Sequence, residues 1–277
     1  MKNYSKLVNF EFNRIAKLFI ALLAITFITQ IVGVIVQSRR YLNMANEKIY
    51  EEMMSKAEFL ANFGQMSFIQ IVRSVWFVGP IALCIAGVGF YIFLIWYRDW
   101  VGKNTFIYRL LMLPTTRLNI FYAKLTTIVT MTLGLVAFQL IFLPIEVFVM
   151  KSMVPDEFRT DMGVKAIVTS MPELTMIIPS SVVELFLYYG LGLLAVSILF
   201  TAILMERSFK WKGIFAGLIY SAVAVVLIIL PLLLQDFVLN GFFYPTELFV
   251  LEIVMGLIVL AVSIWVSGFL LKKKITV

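Results

Sequence analysis

Six long runs of apolar residues, separated by shorter polar stretches, dominate the hydrophobic pattern of the chain. Each run is long enough for an α-helix that crosses the apolar core of a bilayer, which needs about 20 mostly apolar residues. The pattern therefore predicts an all-α membrane protein, with a single transmembrane domain over residues 1–277. The six transmembrane helices are expected at about 18–36, 74–97, 121–148, 182–205, 213–234 and 248–271.

Composition agrees with a membrane protein and excludes several other classes. Apolar residues make up 62% of the chain and charged residues 14%, whereas soluble domains average about 45–50% and about 25%. The single Cys84 cannot form an internal disulfide, and the chain contains no His, the commonest general base and metal ligand. A soluble domain, a disordered chain and a disulfide-bonded secreted scaffold are therefore excluded, and no metal site is expected.

The distribution of Lys and Arg predicts the orientation of the spans. Fifteen of the 23 cationic residues lie in the N-terminal segment, the second and fourth connections and the C-terminal tail, which share one side. Because cationic loops stay on the cytoplasmic side, we expect a multi-pass protein of the cell membrane with both termini cytoplasmic. The charge is spread over short loops rather than gathered into a groove with stacking aromatic residues, so no nucleic-acid partner is expected.

The N-terminal segment 2–17 has apolar residues at helical spacing, with polar residues elsewhere on the helical wheel. This pattern predicts an amphipathic N-terminal interfacial helix on the inner membrane surface. Two roles stay open for it, namely the anchoring of the first span and a contact with a partner protein.

Beyond the first span, segment 41–61 carries an apolar stripe and predicts an extracellular helix, or a helical extension of the span, that ends near Gly64. Glu52 and Lys56 stand four residues apart, so we expect them to pair along that helix. The simpler interpretation is that this helix caps the membrane domain, and the alternative is that it gates the access of a substrate.

The connection from Arg98 to Lys124 contains a short helix whose apolar character is unusual for a cytoplasmic loop. Asn104 or Thr105 is placed to cap its N-terminus, and Pro114 is placed to end it. An exposed helix this apolar needs a cover. That cover is either the bilayer surface or a groove on a cytoplasmic partner protein.

The run from Arg109 through Leu113-Pro114 to Arg117, continued to Lys124-Leu125 in the third span, resembles the second cytoplasmic segment of ABC-2-type transporter permeases. In that family a Leu-Pro-x-x-Arg stretch is followed by Lys-Leu, within a six-span layout that has cytoplasmic termini and an amphipathic N-terminal helix. The resemblance implies an ATP-driven exporter of an amphipathic or lipid-like substrate. Its parts would be two membrane subunits, identical or homologous, and separate cytoplasmic ATP-binding subunits.

The same resemblance implies roles for particular residues. Helix 105–113 would be a cytoplasmic coupling helix that fits a cleft of the ATP-binding subunit, and segment 2–17 would be the connecting helix beside it. The ATPase-coupling residues would be Thr105, Phe106, Tyr108, Arg109, Leu110, Leu113, Pro114 and Arg117. The connecting helix would contribute Lys6, Phe10 and Arg14. The family's short outer helices would lie in the connection 235–244.

The chain lacks the motifs of the common catalytic sites. It has no phosphate-binding Gly-x-x-x-x-Gly-Lys-[Ser/Thr] loop, no zinc-protease helix, no nucleophile elbow and no spaced Cys cluster. We therefore expect ATP and Mg²⁺ to be bound by the partner ATPase, no cofactor to be bound by this chain, and no enzymatic activity. The expected partners are the ATP-binding subunit, the second membrane subunit and the lipid bilayer.

Four charged residues near the predicted outer ends of spans are candidate outer-face polar groups: Arg73, Glu146, Glu184 and Glu252. Ionisable residues in spans are functional candidates by default, but the predicted depth of the carboxylates favours interfacial positions over substrate contact. Ser181-x-x-Glu184 also has the spacing of a capping box at the start of the fourth span. Arg73 is placed where it can pair with one of the carboxylates.

Prolines and glycines predict local features of the later spans. Pro144 and Pro231 should kink or end their helices, and Pro245 should begin a new one. Gly213 and Gly217 permit a close approach of helices, which packing within one subunit explains more simply than a dimer contact.

Other functions stay open beside export. A sensory or immunity protein that uses no ATP would bind a ligand at its outer face and would need no apolar docking helix. An intramembrane enzyme would need reactive groups in one pocket, for which the three carboxylates named above are the only candidates. A proton-coupled transporter is disfavoured, because no carboxylate is predicted at the midplane of a span.

Overall fold

The computed structural model of the chain describes residues 2–101, 106–237 and 241–275. Most of this part of the chain lies in six long helices: α1 (Lys2–Asn46), α4 (Val75–Trp100), α6 (Leu118–Met153), α9 (Val182–Phe209), α10 (Trp211–Phe237) and α11 (Pro245–Lys273). All six are long and apolar enough to cross a membrane. The predicted all-α, multi-pass architecture is confirmed, and each predicted span falls on one of these helices.

Short elements connect the long helices. Between α1 and α4 lie a π-helix (Glu47–Glu51), α2 (Lys56–Phe63), the strand β1 (Met66–Ser67) and α3 (Phe68–Val72). Between α4 and α6 lies α5 (Phe106–Leu111). Between α6 and α9 lie a 3₁₀-helix (Asp156–Phe158), the strand β2 (Arg159–Thr160), α7 (Val164–Thr169) and α8 (Pro172–Ile177). The two strands pair in parallel, with Met66 opposite Arg159.

Helix α1 corrects one prediction about the N-terminus. Segment 2–17 is helical as expected, but it continues without a break into the first span, so there is no separate interfacial helix. The reason is local, because no Pro or Gly occurs between Lys2 and Val32 to interrupt the helix. At 1.5 Å per residue, 45 residues extend over about 67 Å, which is longer than the apolar core of a bilayer.

Segment 41–61 is not one continuous helix either. After the π-helix, the chain leaves the helical conformation at Met53, whose φ is 55°, and α2 begins at Lys56. The expected end near Gly64 is confirmed, and Gly64 has a φ of 72°.

The break in this segment also changes its ion pairs. The predicted pair of Glu52 with Lys56 is wrong, because the two residues no longer share a helix. Glu52 pairs with Lys48 instead. Lys56 Nζ lies 2.8 Å from Glu157 Oε2, and this hydrogen bond raises the pKa of Lys56 and lowers the pKa of Glu157.

The chain divides into two compact units. Unit 1 comprises residues 1–14, 89–130 and 186–277, and unit 2 comprises residues 15–88 and 131–185. Helices α1, α4, α6 and α9 contribute residues to both units, so each unit is assembled from segments that are distant in sequence.

Unit 2 has an apolar core that includes its short elements. Phe59 of α2, Phe68 of α3 and Phe77 of α4 are buried in it, and each buried aromatic side chain contributes about 1.5–3 kcal/mol. Arg159 of β2 donates to the carbonyls of Lys151 at 2.8 Å and of Val154 at 2.7 Å, which holds the strand against the end of α6. This packing supports the interpretation of segment 41–61 as a cap rather than as a gate.

Unit 1 contains a tight contact between α9 and α10. A Cβ atom added to Gly213 would lie 2.1 Å from the carbonyl oxygen of Met205, and one added to Gly217 would lie 3.0 Å from that of Ala202. The close helix approach predicted from these glycines is confirmed, and it lies within this chain, as packing within one subunit requires.

The prolines of the later spans do not end their helices. Pro144 lies inside α6 and Pro231 lies inside α10. Helix α11 begins at Pro245 as predicted, where the carboxylate of Glu247 accepts a hydrogen bond from the backbone N–H of Tyr244 at 3.1 Å. Of the connection 235–244, residues 238–240 lie outside the described part, and the rest contains no separate short helix. The short helices that the structure does describe outside the spans are α2, α3, α5, α7 and α8.

Candidate functional site

Helix α5 is the short apolar helix predicted between the second and third spans. It runs over Phe106–Leu111, whereas the expected coupling residue Thr105 and the expected cap Asn104 lie outside the described residues. The helix does not continue through Pro114, and the chain turns there, with the Thr115 N–H 2.7 Å from the Leu113 carbonyl oxygen. Helix α5 thus ends before Pro114 as the sequence predicts, but it ends at Leu111 and not at the expected Leu113, and residues 112–117 connect it to α6.

The two faces of α5 have different environments. Ile107, Leu110 and Leu111 are buried within this chain, and Leu110 is only 4% exposed. The other face exposes Tyr108 and Arg109, and it continues into Met112, which is 68% exposed, and Leu113. Residues on the buried face therefore hold α5 in place, and residues on the exposed face are free to meet a partner protein.

Aromatic contacts attach α5 to the N-terminal part of α1 within unit 1. The rings of Phe10 and Phe106 stack with their centroids 5.6 Å apart. The guanidinium carbon of Arg14 lies 5.2 Å from the Phe10 centroid and 5.1 Å from the Phe106 centroid, so one cation contacts both rings. An open groove of about 390 Å³ lies beside this stack, lined by Lys6, Leu7, Phe10, Phe106, Leu110, Leu113, Pro114 and Thr115.

This arrangement brings together most of the residues that the family resemblance selected. Lys6, Phe10 and Phe106 meet around the groove with three further predicted residues, Leu110, Leu113 and Pro114. Arg117 is used differently: its Nη1 donates to the carbonyl oxygens of Leu271 at 2.8 Å and Ile275 at 3.0 Å. These acceptors lie at the C-terminal end of α11, where helix carbonyls lack helical partners and attract a cation.

A buried set of charges lies next to the groove, also within unit 1. We call it the ion cluster, and its five members are Glu11, Arg14, Arg98, Asp99 and Lys124. Glu11, Asp99 and Lys124 are at most 1% exposed. Buried charges of this kind are stable only when they are paired and hydrogen-bonded.

Lys124 of α6 is the centre of the ion cluster. Its Nζ donates to Glu11 Oε1 at 2.9 Å, to the Ile95 carbonyl oxygen at 2.7 Å and to the carboxylate of Asp99. It also lies 5.1 Å from the ring centroid of Trp96, which adds a cation–π contact. One ammonium group thus joins the ends of α1, α4 and α6.

The two arginines complete the pairing of the buried carboxylates. Arg14 Nη1 donates to Asp99 Oδ1 at 2.7 Å, and Arg98 Nη2 donates to Glu11 Oε2 at 3.1 Å. The side chains of both arginines are about a quarter exposed, so they reach water while the carboxylates do not. Arg14 therefore connects two features, because it bonds Asp99 and also contacts the ring of Phe106.

Sequence reasoning missed the ion cluster, although a signal for it exists. Glu11 is flanked four residues away on each side by Leu7 and Ile15, which are both buried. Lys124 stands similarly between buried apolar residues of α6. A charged residue in the middle of an apolar helical face is the pattern that indicates a buried ion pair. In the sequence, the basic members were used to orient the spans, and Arg14 was also assigned to the connecting helix by the family resemblance, but no pairing among these charges was predicted.

The candidate outer-face groups have different surroundings. The expected capping box is confirmed in part: Ser181 Oγ accepts from the Glu184 N–H at 3.2 Å, and Glu184 Oε2 accepts from the Ser180 N–H at 3.0 Å. Arg73 is exposed, and no carboxylate in the described part of the chain pairs with it. Glu252 is half-buried on α11.

Glu146 contradicts the expected interfacial position. Its side chain is fully buried, and neither carboxylate oxygen has a hydrogen-bond partner among the described residues. The prediction failed because the sequence shows how far along its span Glu146 lies but not which neighbouring residues cover its side chain. Glu146 is thus a polar group buried in α6 without the water contact that an interfacial carboxylate would have.

We expect Glu146→Leu to stabilise the protein, because a buried polar group without a partner costs about 1–3 kcal/mol. The measurement is the thermal unfolding midpoint in detergent micelles, with Glu184→Leu as the comparison. The latter variant keeps the Ser181 cap but loses the hydrogen bond between the Ser180 N–H and the Glu184 carboxylate, so it should be less stable than the wild type by about 0.5–1.5 kcal/mol. A lower midpoint in Glu146→Leu would contradict the prediction and would show that this carboxyl makes a stabilising interaction in the folded protein.

Comparisons with known proteins add no assignment to this geometry. No family model matches the chain, and no curated protein and no solved structure is significantly similar to it. Among the described residues, no group of three or more Cys, Asp or Glu side chains is arranged to hold a metal ion. The interpretation of the site therefore depends on its residues. These are the exposed face of α5 with the exposed Met112 and Leu113 that follow it, the groove beside α5, and the ion cluster, whose Arg14 contacts Phe106.

Proposed function

We propose that the chain is the membrane-spanning permease subunit of an ATP-driven exporter of the ABC-2 type. The observation that carries the proposal is helix α5, which is anchored in unit 1 by its buried face. Tyr108 and Arg109 on its opposite face are exposed, and so are Met112 and Leu113 in the turn that follows the helix. In this proposal a separate ATP-binding subunit covers the exposed face. That subunit binds ATP and Mg²⁺, and this chain hydrolyses nothing.

The proposed assembly places the protein in the cell membrane with both termini in the cytoplasm. The excess of Lys and Arg on one side of the spans supports this orientation. A second membrane subunit, identical or homologous, completes the pathway, and the substrate is amphipathic or lipid-like. The substrate class rests on the family resemblance alone.

The contacts of α5 provide a route by which movement of the ATP-binding subunit reaches the spans. A displacement of α5 moves Phe106, its first residue. The ring of Phe106 is stacked on Phe10 of α1 and contacts the guanidinium group of Arg14. Arg14 is bonded to Asp99 of α4, and Asp99 shares Lys124 of α6 with Glu11. The ends of α1, α4 and α6 are thus bonded to one another, so a pull on α5 is shared among three helices.

The proposal predicts that Met112→Glu and Leu113→Glu weaken association with the ATP-binding subunit. Placing a carboxylate in an apolar interface costs at least about 1.4 kcal/mol, which is a tenfold loss of affinity. The measurement is co-purification of the tagged chain with a cytoplasmic ATP-binding subunit expressed in the same cells. Both residues are exposed in the chain alone, so insertion and accumulation in the membrane should not change.

A matched control comes from an exposed methionine elsewhere in the chain. Met176 of α8 is 60% exposed and belongs to unit 2, so Met176→Glu should leave the association unchanged. Leu110→Glu is unsuitable as a test, because Leu110 is buried and its substitution would unfold α5. Normal association of both Met112→Glu and Leu113→Glu would contradict the docking role and would favour the alternative of a membrane sensory or immunity protein.

The orientation has a separate test. A Tyr108→Cys variant in a Cys84→Ser background should react with a membrane-impermeant maleimide only after the cells are opened, since Tyr108 is exposed on α5. Labelling of Cys at this position in intact cells would place α5 outside the cell. It would exclude a cytoplasmic ATP-binding partner.

A further inference from the structure

An open cavity in unit 2, lined by both polar and apolar residues, has no role in the proposed coupling. Its volume is about 790 Å³, and it lies between the C-terminal part of α1 and the segment formed by β1 and α3. Five of its lining residues carry amide or guanidinium N–H donors: Gln37, Arg39, Arg40, Asn43 and Gln70. The hydroxyl of Tyr41, which also lines the cavity, already donates to the Gly64 carbonyl oxygen at 2.8 Å. A cavity of this size falls in the range of about 300–1,000 Å³ that small-molecule sites occupy.

The amide and guanidinium donors of this cavity have no partners within the described chain. Neither Arg39 nor Arg40 makes an ion pair or a hydrogen bond with a described residue, and the same is true of the three amide side chains. Arg159 of the same unit is a contrast, because it pairs with Asp161 at 3.0 Å and donates to two carbonyl oxygens. Arg159 thus has a structural role, whereas Arg39 and Arg40 are adjacent, line the cavity and have guanidinium donors available for an anion.

The charge of the lining indicates which anion fits. Arg39 and Arg40 are the cationic residues of the cavity, and Glu47 is the acidic residue at the same surface. Their sum is one positive charge. A phosphodiester carries a single negative charge at neutral pH, so it balances this lining better than a doubly charged phosphate monoester does. Guanidinium groups also bind phosphate oxygens through two parallel hydrogen bonds.

The apolar part of the lining indicates that the anion is attached to an apolar body. The cavity begins at Val36, at the end of the apolar run of the first span, and includes Met44 and Met66. From Val36 to Glu47 the helix rises over about 16 Å. A ligand that fills the cavity therefore has an apolar end next to Val36 and a polar end among the arginines.

We propose that this cavity binds the phosphodiester headgroup of a membrane phospholipid, with Arg39 and Arg40 on the phosphate oxygens. Gln37, Asn43 and Gln70 supply neutral donors for the other oxygens of the headgroup. The site needs neither ATP nor a partner subunit, so it holds whether or not the chain is an exporter.

Native mass spectrometry of the purified chain, released from detergent and titrated with phosphatidylglycerol, tests the proposal. We expect saturable binding whose dissociation constant rises at least about tenfold in the Arg39→Gln/Arg40→Gln variant, because charge-assisted hydrogen bonds to phosphate are lost. Both arginines are exposed and without partners, so the variant should keep the thermal midpoint of the wild type. Arg73→Gln is the matched control, since Arg73 is an exposed arginine of the same unit that does not line the cavity.

Each control has an outcome that would overturn the proposal. An equal loss of binding in Arg73→Gln would show that general surface charge attracts the lipid. Equal binding of a diacylglycerol with the same chains would show that the headgroup is not recognised. Displacement of the lipid by millimolar inorganic phosphate would identify a site for a free anion instead. Unchanged lipid binding by Arg39→Gln/Arg40→Gln would remove the arginines from the site.

Discussion

Lys124→Met is expected to lower the free energy of unfolding by up to about 3–5 kcal/mol, the usual cost when one partner of a buried ion pair is removed. The loss is expected below the upper end of this range because Asp99 keeps Arg14 and Glu11 keeps Arg98 as a partner. Glu11 and Asp99 are at most 1% exposed, so their carboxylates cannot turn to water when the ammonium is lost. Methionine preserves most of the volume of the lysine stem, which keeps the packing against Trp96. The change should appear as a lower thermal midpoint in detergent micelles and as reduced accumulation in the membrane.

A combined variant separates charge from packing as the cause of that loss. Lys124→Met together with Glu11→Gln and Asp99→Asn replaces the two buried carboxylates by neutral amides that need no ammonium partner, and it should recover part of the stability. Arg14 and Arg98 keep access to water in this variant, because about a quarter of each side chain is exposed. Lys165→Met, at an exposed lysine of unit 2, should change stability by no more than about 0.5 kcal/mol.

The combined variant also distinguishes lost charge pairing from lost packing of the lysine stem. If it is no more stable than Lys124→Met alone, the loss comes from the packing of the lysine stem and not from unpaired charge. If Lys124→Met is as stable as the wild type, the ion cluster does not hold α1, α4 and α6 together. The proposed route from α5 to the spans would then lose its middle step, while the docking face of α5 would be unaffected.

The six spans were predictable because the signal for them is local and strong. Each run of about 20 apolar residues has few ways to satisfy its backbone other than a helix in the membrane. The errors concern what happens at the ends of these runs. Between Lys17 and Leu18 the hydrophobic pattern changes but the helix does not, because nothing in the backbone chemistry interrupts it. At Met53 the opposite occurs, since the pattern continues while the helix breaks.

The candidate site was predictable only where one segment determines it. The position of α5 before Pro114 follows from its own residues, as does the capping of α9 by Ser181 and Glu184. The bonds of Arg117 to the end of α11 and of Lys124 to Glu11 join residues more than 100 positions apart. Helical periodicity shows which face a residue occupies but not which helix covers that face, so these contacts required the structure.

Among the described glycines of unit 1, Gly213 is the one at which substitution by alanine is expected to destabilise the protein most. The new Cβ would lie 2.1 Å from the carbonyl oxygen of Met205 and within 2.8 Å of two further backbone atoms. A flexible side chain could move away, but these are backbone atoms, so α9 and α10 must separate. Overpacking of this kind costs about 1–3 kcal/mol or somewhat more.

Gly192→Ala is the matched control, because it makes the same substitution in the neighbouring helix α9 of the same unit. No atom lies within 4 Å of the position that its Cβ would take. Alanine has a higher helix propensity than glycine, so this variant should be neutral or more stable by up to about 1 kcal/mol. The thermal midpoint in detergent micelles should therefore fall for Gly213→Ala and should stay the same or rise for Gly192→Ala.

Gly217→Ala provides the intermediate case that shows whether the contact distance sets the effect. Its Cβ would meet the carbonyl oxygen of Ala202 at 3.0 Å, which a small separation of the helices relieves. The expected order of stability is Gly192→Ala first, then Gly217→Ala, then Gly213→Ala. If Gly213→Ala unfolds at the same temperature as Gly192→Ala, the close packing of α9 on α10 is wrong. In that event the two glycines would be available for a contact with a second membrane subunit, the alternative to packing within one chain.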